Sequence, residues 1–217
     1  MALFKSRKCW MPTFRGAVLL GFTALGAGIL VARFLAPFLA ANEPVAAKVL
    51  IVESWLPDYA MQAVVAEFKR GGYRYIITSG RVLNDRWLAA HYTTAAEFAA
   101  ANLALMGVET NRLVAAPPPP VGRDRTFNSA RAVHRWLEQN DASVNAVNVY
   151  SLGPHARRTR LLFQKAMGSK IQVGIIAVEP VAYDLRRWWG NMQGFDSVVG
   201  ESLAYCYAKC IFPFVSK

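Results

Sequence analysis

The chain has 217 residues, 54% of them hydrophobic, and a formal net charge of +11. Beyond the first forty residues it is long enough for one domain with a full core rather than two. Three cysteines exclude a disulfide framework, metal-ligand spacings such as C-x-x-C or H-E-x-x-H do not occur, and no aromatic-interleaved basic run points to nucleic acid.

Residues 1–15 carry Lys5, Arg7, Lys8 and Arg15 without an acid, so four of the eleven net charges sit at the front. From Gly16 the chain is almost wholly apolar to residue 39, broken by Thr23 and Arg33. A run of about 20 such residues spans a bilayer as a helix, and the basic flank stays on the cytoplasmic side. A cleaved signal peptide has a shorter apolar core and a small-residue cleavage site. Leu39-Ala40-Ala41 is a poor match to such a site, which favours an uncleaved anchor over 16–39 with Arg33 snorkelling at its outer end. The expected organisation is a cytoplasmic segment 1–15, an anchor 16–39, a linker 40–47 and one domain over 48–217.

In that domain, short β-rich runs alternate with helical patterns. "KVLIVE" (48–53) reads as a buried strand, and 57–72 as a helix with Pro57 at its start and glycine at its end. "YRYIITSG" (73–80) is a second strand, and the Ala-rich stretch 93–107 a helix closed by Gly107. A short strand at 112–116 runs into Pro117 to Pro120, which force an extended loop. A helix over 126–140 has Thr126 as its expected N-cap. Then come a strand at 146–153, a helix at 155–168, a strand at 171–179 and a last apolar helix over about 196–210. This alternation means an α/β domain with a mostly parallel five-stranded sheet covered on both faces.

Ligands of such sheets bind beyond the carboxyl ends of the strands. Glu53-Ser54-Trp55, Ser79-Gly80-Arg81, the loop 117–128, the turn from Ser151 to His155, and Glu179 should therefore share one edge.

Three segments, "EFKRGGYRYIITSG", "TFNSA" and "SLGPHARRTRLLFQKAMG", follow in order the strand, helix-start and strand-to-helix motifs of the YdcF-like (ElyC/SanA) family. The likeness covers roughly residues 48 to 178, and the family positions fall on Ser79, Gly80, Thr126, Asn128, Ala130, His155 and Arg158. The chain resembles a divergent branch. It has Glu53-Ser54-Trp55 where the family has a Gly-rich turn, Ser129 in place of an acid, and Ser151 as a loose match ahead of the histidine. The resemblance implies a Rossmann-like three-layer α/β/α domain on a bacterial inner-membrane protein of envelope biogenesis, single-pass, with its domain periplasmic or extracytoplasmic. It also offers S-adenosylmethionine as a cofactor, which the Gly-poor turn argues against; otherwise no cofactor and no metal are expected.

Two helices start at the ligand edge with arginines where acids would suit the helix dipole: Arg123 and Arg125 at one, Arg157 and Arg158 at the other. A bound anion would offset that repulsion, and Arg suits phosphate or carboxylate. The expected ligand set is Ser79, Gly80, Arg125, Thr126, Asn128, His155 and Arg158, with His155 and Glu53 as the catalytic candidates. Arg157 and Arg160 read first as a solvated face and second as ligand contacts, Asp124 as an arginine's partner, His91 and His134 as surface, and Ser79 as a turn hydroxyl donating to ligand rather than a nucleophile. Asn128 reads as a ligand contact or a tie for the proline loop. His155 shows no carboxylate partner in sequence, and Glu53 reads as an acid/base or an arginine's partner. Cys206 and Cys210 read as packing thiols; Trp188-Trp189 fit core packing, the membrane interface or ligand stacking. The expected function is a membrane-anchored protein that binds an anionic small molecule or lipid-linked envelope precursor. A hydrolase or transferase acting on that ligand, or a non-catalytic protein-interaction domain, are the alternatives.

Overall fold

The computed structural model describes residues 12–83, 91–120 and 122–212; most of the basic segment 1–15, Cys9 included, lies outside them. Five strands, β1 (Val49–Glu53), β2 (Tyr75–Ser79), β3 (Leu113–Ala115), β4 (Ala146–Leu152) and β5 (Gln172–Val178), form one all-parallel sheet in the order β3-β2-β1-β4-β5. The strands are near-continuous apolar runs because both faces of the sheet are covered. Leu50, Val52 and Ile76 pack against α2 (Asp58–Arg70) and α3 (Ala95–Leu105). Val49, Ile51, Val147 and Val149 pack on the other face against α4 (Arg125–Asn140) and α5 (His155–Met167). The three-layer expectation holds, with the sheet wholly parallel.

The α4 N-terminus differs from the sequence reading. Asp124, in the left-handed conformation (φ 53°), is the cap residue, its side chain makes no capping bond, and Thr126 falls in the first turn. The tail helix α6 (Met192–Cys206) begins earlier than expected, follows a 3-10 segment (Leu185–Gly190), and runs into a π-turn (Tyr207–Ile211).

The N-terminal helix α1 (Phe14–Leu39) is long and apolar enough to cross a membrane, a test that a signal sequence also passes. Its last turns belong to the domain. Ala36 and Leu39 are fully buried with Trp188 and Val198, and the Trp188 indole donates to the Ala32 carbonyl at 2.7 Å. Next, Glu43 bridges antiparallel to Ile175 before β1 begins at Val49. The linker thus runs back along β5 against the strand direction. As a result α1 leaves the domain at the sheet's carboxyl edge, the edge on which the predicted ligand segments meet.

Candidate functional site

The strand order reverses between β1 and β4: β2 and β3 follow on one side of β1, β4 and β5 on the other. In open α/β sheets this reversal opens a crevice at the carboxyl edge. Here the crevice is a cleft of about 1010 Å³, lined by the ends of β1, β2 and β4, the starts of α4 and α5, and one side of α6.

Glu53 ends β1 at the base of the cleft and is 5% exposed. A buried carboxylate is costly unless it is paired and hydrogen-bonded. Its Oε2 accepts from the Ser151 hydroxyl at 2.5 Å, and both its oxygens lie 3.4 Å from the Thr159 hydroxyl. The His155 imidazole stands beside it, with Nε2 3.5 Å from Oε1. Burial alone would raise the Glu53 pKa; the charge of His155, with the hydroxyl of Ser151, holds it below the usual range. Its partner is a histidine rather than an arginine.

His155 is set by the turn between β4 and α5. Gly153 takes φ +46°, a region that favours glycine, and a Cβ there would press on Pro180 at 3.2 Å. The first residue of α5 is therefore His155, whose Nδ1–H donates to Glu201 Oε1 at 2.8 Å. Arg158, one turn on, clasps the same carboxylate, with Nε to Oε2 at 2.8 Å and a terminal nitrogen to Oε1 at 3.0 Å. That terminal nitrogen lies 2.9 Å from His155 Nδ1 because both donors converge on one oxygen. Burial would lower the His155 pKa, but Glu53 and Glu201 on either side push it up to about 9, so the ring is a cation at neutral pH. Glu201, despite its own burial, is held at about 2 by His155 and Arg158. Two carboxylates and two cations close a neutral network. Trp55 packs edge-on against the imidazole at 4.9 Å. Nε2 has no hydrogen bond, because its approach to Glu53 lacks the geometry; it is the one such buried side-chain atom among the described residues.

The sequence expectation of a histidine without a carboxylate partner is thus corrected: it has two, one from β1 and one from α6. Glu201 was missed. It is a lone glutamate in an otherwise mostly apolar helix, a signal visible in sequence, though only the fold shows what it faces. Thr159 follows His155 by one helical turn and was missed for the same reason.

The other expected residues divide. Arg125 and Thr126 line the cleft, as do Arg81, Ser79 and Gly80. Among the described residues Arg81 and Arg125 form no ion pair, whereas Arg158 is committed to Glu201. Ser79 is buried and donates to the carbonyls of Ala116 and Ser129, so its hydroxyl braces β2 against the start of α4. Gly80 gives close approach: a Cβ there would stand 1.8 Å from Ser54 Oγ. Asn128 ties the loop, donating to the carbonyls of Arg123 and Asp124 at 3.3 and 3.1 Å. Glu179 is exposed and outside the cleft lining, and Arg123 lies 3.9 Å from Asp124 at the surface.

Arg157 and Arg160 are neither ligand contacts nor a solvated face. Both pair with Glu43 of the linker; Arg157 also donates to the Phe38 carbonyl and stacks over that ring at 4.0 Å. Trp188 is buried and Trp189 half-exposed. Cys206 and Cys210 are both exposed, correcting the reading of packing thiols, because this stripe of the tail helix faces away from the core. His91 is exposed, and His134 lies 3.7 Å from Glu138 on the surface of α4.

Fold and site together define an α/β domain with a cleft at its strand-order reversal, joined to an apolar helix at that edge. No family model matches the chain, and no curated protein matches it.

Proposed function

We propose that the chain is a membrane-anchored protein of the YdcF-like kind, with its domain on the outer side of a bacterial inner membrane, where it serves envelope biogenesis. The cleft binds an anionic ligand, phosphorylated or lipid-linked. One observation carries this reading: the cleft combines Arg81 and Arg125, which form no ion pair among the described residues, with an uncapped α4 start and an apolar wall that includes Leu162, Phe127 and Phe212. Unpaired N–H groups and arginines suit a phosphate, and the apolar wall suits a chain attached to it. The basic, acid-free residues 1–15 favour the orientation. Retention of α1 as an anchor is supported by its packing, since cleavage near Ala41 would strip Ala36 and Leu39 from the core they share with Trp188. Dinucleotides and S-adenosylmethionine fit poorly, because Ser54 fills the turn where Gly80 leaves room.

A second reading, a hydrolase or transferase on the same ligand, is favoured by the buried His155 Nε2 beside Glu53. A protonated His155 would supply the leaving oxygen's proton, with Glu53 holding the imidazolium.

The test is a thermal-shift panel on the full-length chain in detergent, with inorganic pyrophosphate, a phosphorylated sugar, a short-chain lipid phosphate and S-adenosylmethionine. A ligand at 100 times its Kd adds about 2.7 kcal/mol. A shift from a phosphorylated compound that Arg125→Ala abolishes supports the reading; no shift from any of them refutes it. His155→Gln that keeps the shift but loses turnover of the bound compound would select the enzyme.

A further inference from the structure

Helix α6 has two sides, and the cleft accounts for one. Gln193, Ser197 and Glu201 face the cleft. Around the start of the same helix the chain exposes an apolar edge: Trp189 is 48% exposed, Met192 82% and Phe195 49%, with Val181 exposed earlier in the same segment and Arg186 and Arg187 also exposed. Asp184, exposed in the same segment, accepts from the Arg186 N–H at 2.7 Å.

The direction of this edge follows from two contacts with α1. Trp188, just before α6, hydrogen-bonds Ala32, whereas Tyr205, near its end, meets the Phe38 ring at 5.8 Å. The two helices therefore run alongside each other in the same sense. Going back along α1 towards its apolar span means going back along α6 towards Met192 and the 3-10 segment. The exposed edge is the end of the domain nearest the span and continuous with it.

We propose that residues 181–195 form a second membrane contact, seated in the headgroup region of the leaflet from which α1 emerges. Trp189, Met192 and Phe195 enter the interface, where a Trp ring is favoured, and Arg186 and Arg187 keep their heads among the lipid phosphates. Asp196, exposed one turn beyond Met192, marks where the contact stops. The cleft then opens beside the lipid surface, with α6 as the wall between them. This inference rests on the reading of α1 as an anchor.

The test uses the full-length chain in vesicles of phosphatidylcholine and phosphatidylglycerol, with Cys9, Cys206 and Cys210 replaced by Ser. A polarity-sensitive fluorophore is placed at Met192→Cys, or at Gln139→Cys near the end of α4 on the opposite edge of the sheet. The expected result is a blue-shifted Met192→Cys signal, quenched several-fold more than Gln139→Cys by lipids spin-labelled near the headgroup, and weakened by Trp189→Ser with Phe195→Ser. A water-like Met192→Cys signal in a chain that resists alkaline extraction overturns the contact and leaves the anchor standing. A blue shift without lipid quenching means that protein, such as a second copy, covers the edge, and it also overturns the contact. A chain released by alkaline extraction overturns the anchor reading and the contact with it.

Discussion

His155 Nε2 and Glu53 Oε1 stand 3.5 Å apart, joining the first turn of α5 to the last residue of β1 across the strand-order reversal. Around this pair the chain buries a charge network that is neutral in sum, so the first two testable consequences are electrostatic.

The first concerns pH. His155 binds its proton more tightly folded (about 9) than unfolded (6.5). Its contribution is therefore complete below pH 6.5 and lost as pH rises through 9, on the order of 3 kcal/mol at most. Thermal melts of the full-length chain should show the midpoint falling across that window, and His155→Gln should flatten this limb. An unchanged alkaline limb in the variant would contradict the assignment.

Removing Glu201 strands Arg158 and leaves His155 with Glu53 alone. Glu201→Gln leaves the Arg158 fork and His155 Nδ1 without their carboxylate. Breaking a largely buried pair costs about 2–4 kcal/mol, discounted here from the fully buried case because both side chains keep some exposure. Denaturant melts should show that loss. Arg158→Gln made on top of Glu201→Gln should cost less than it does alone, giving a coupling energy of about 1 kcal/mol or more.

Gly80 is a packing requirement. Gly80→Ala drives a methyl into Ser54, with Cβ 2.6 Å and Oγ 1.8 Å away, and should destabilise by about 1–3 kcal/mol. Ser54→Gly in the same chain removes both atoms and should restore part of the loss. Denaturation midpoints of the single and double variants check this.

Trp188→Phe tests the seam between α1 and the domain. It deletes the indole N–H bonded to the Ala32 carbonyl while keeping most of the apolar contact with Ala36 and Leu39. A loss of about 1 kcal/mol is expected. Limited proteolysis should cut the linker around residues 40–47 faster, whereas Trp189→Phe, at a half-exposed ring, should leave the cleavage rate unchanged.

The fold was legible because its signals are local. β1 is a run of four apolar residues ending in Glu53 between a linker and Pro57, Thr94 with Glu97 forms a capping box, and Gly107 and Gly168 close their helices at positive φ. These patterns do not depend on distant residues, and the rule for ligand edges then brings Glu53, Gly80, Arg125 and His155 together. The partners of those residues were hidden because they are set by packing of the tail. Glu201 reaches His155 only because α6 folds back over the cleft beside the end of α1. Arg157 and Arg160 read as a solvated face for the converse reason: their carboxylate, Glu43, lies in a linker whose path along β5 has no periodicity to read. Thr126 looked like a cap because a left-handed Asp124 leaves no clear mark in sequence.

The most direct test of the central claim is equilibrium binding of a short-chain phosphatidic acid to the full-length chain, with glycerol phosphate alongside, in the native chain and in Arg81→Ala and Arg125→Ala. The account expects the lipid phosphate to bind more tightly than the bare headgroup, and each variant to raise Kd about tenfold, equivalent to about 1.4 kcal/mol. Binding that is unchanged in both variants would place the ligand elsewhere, and an absence of binding to either phosphate would contradict the reading of this cleft as an anion site.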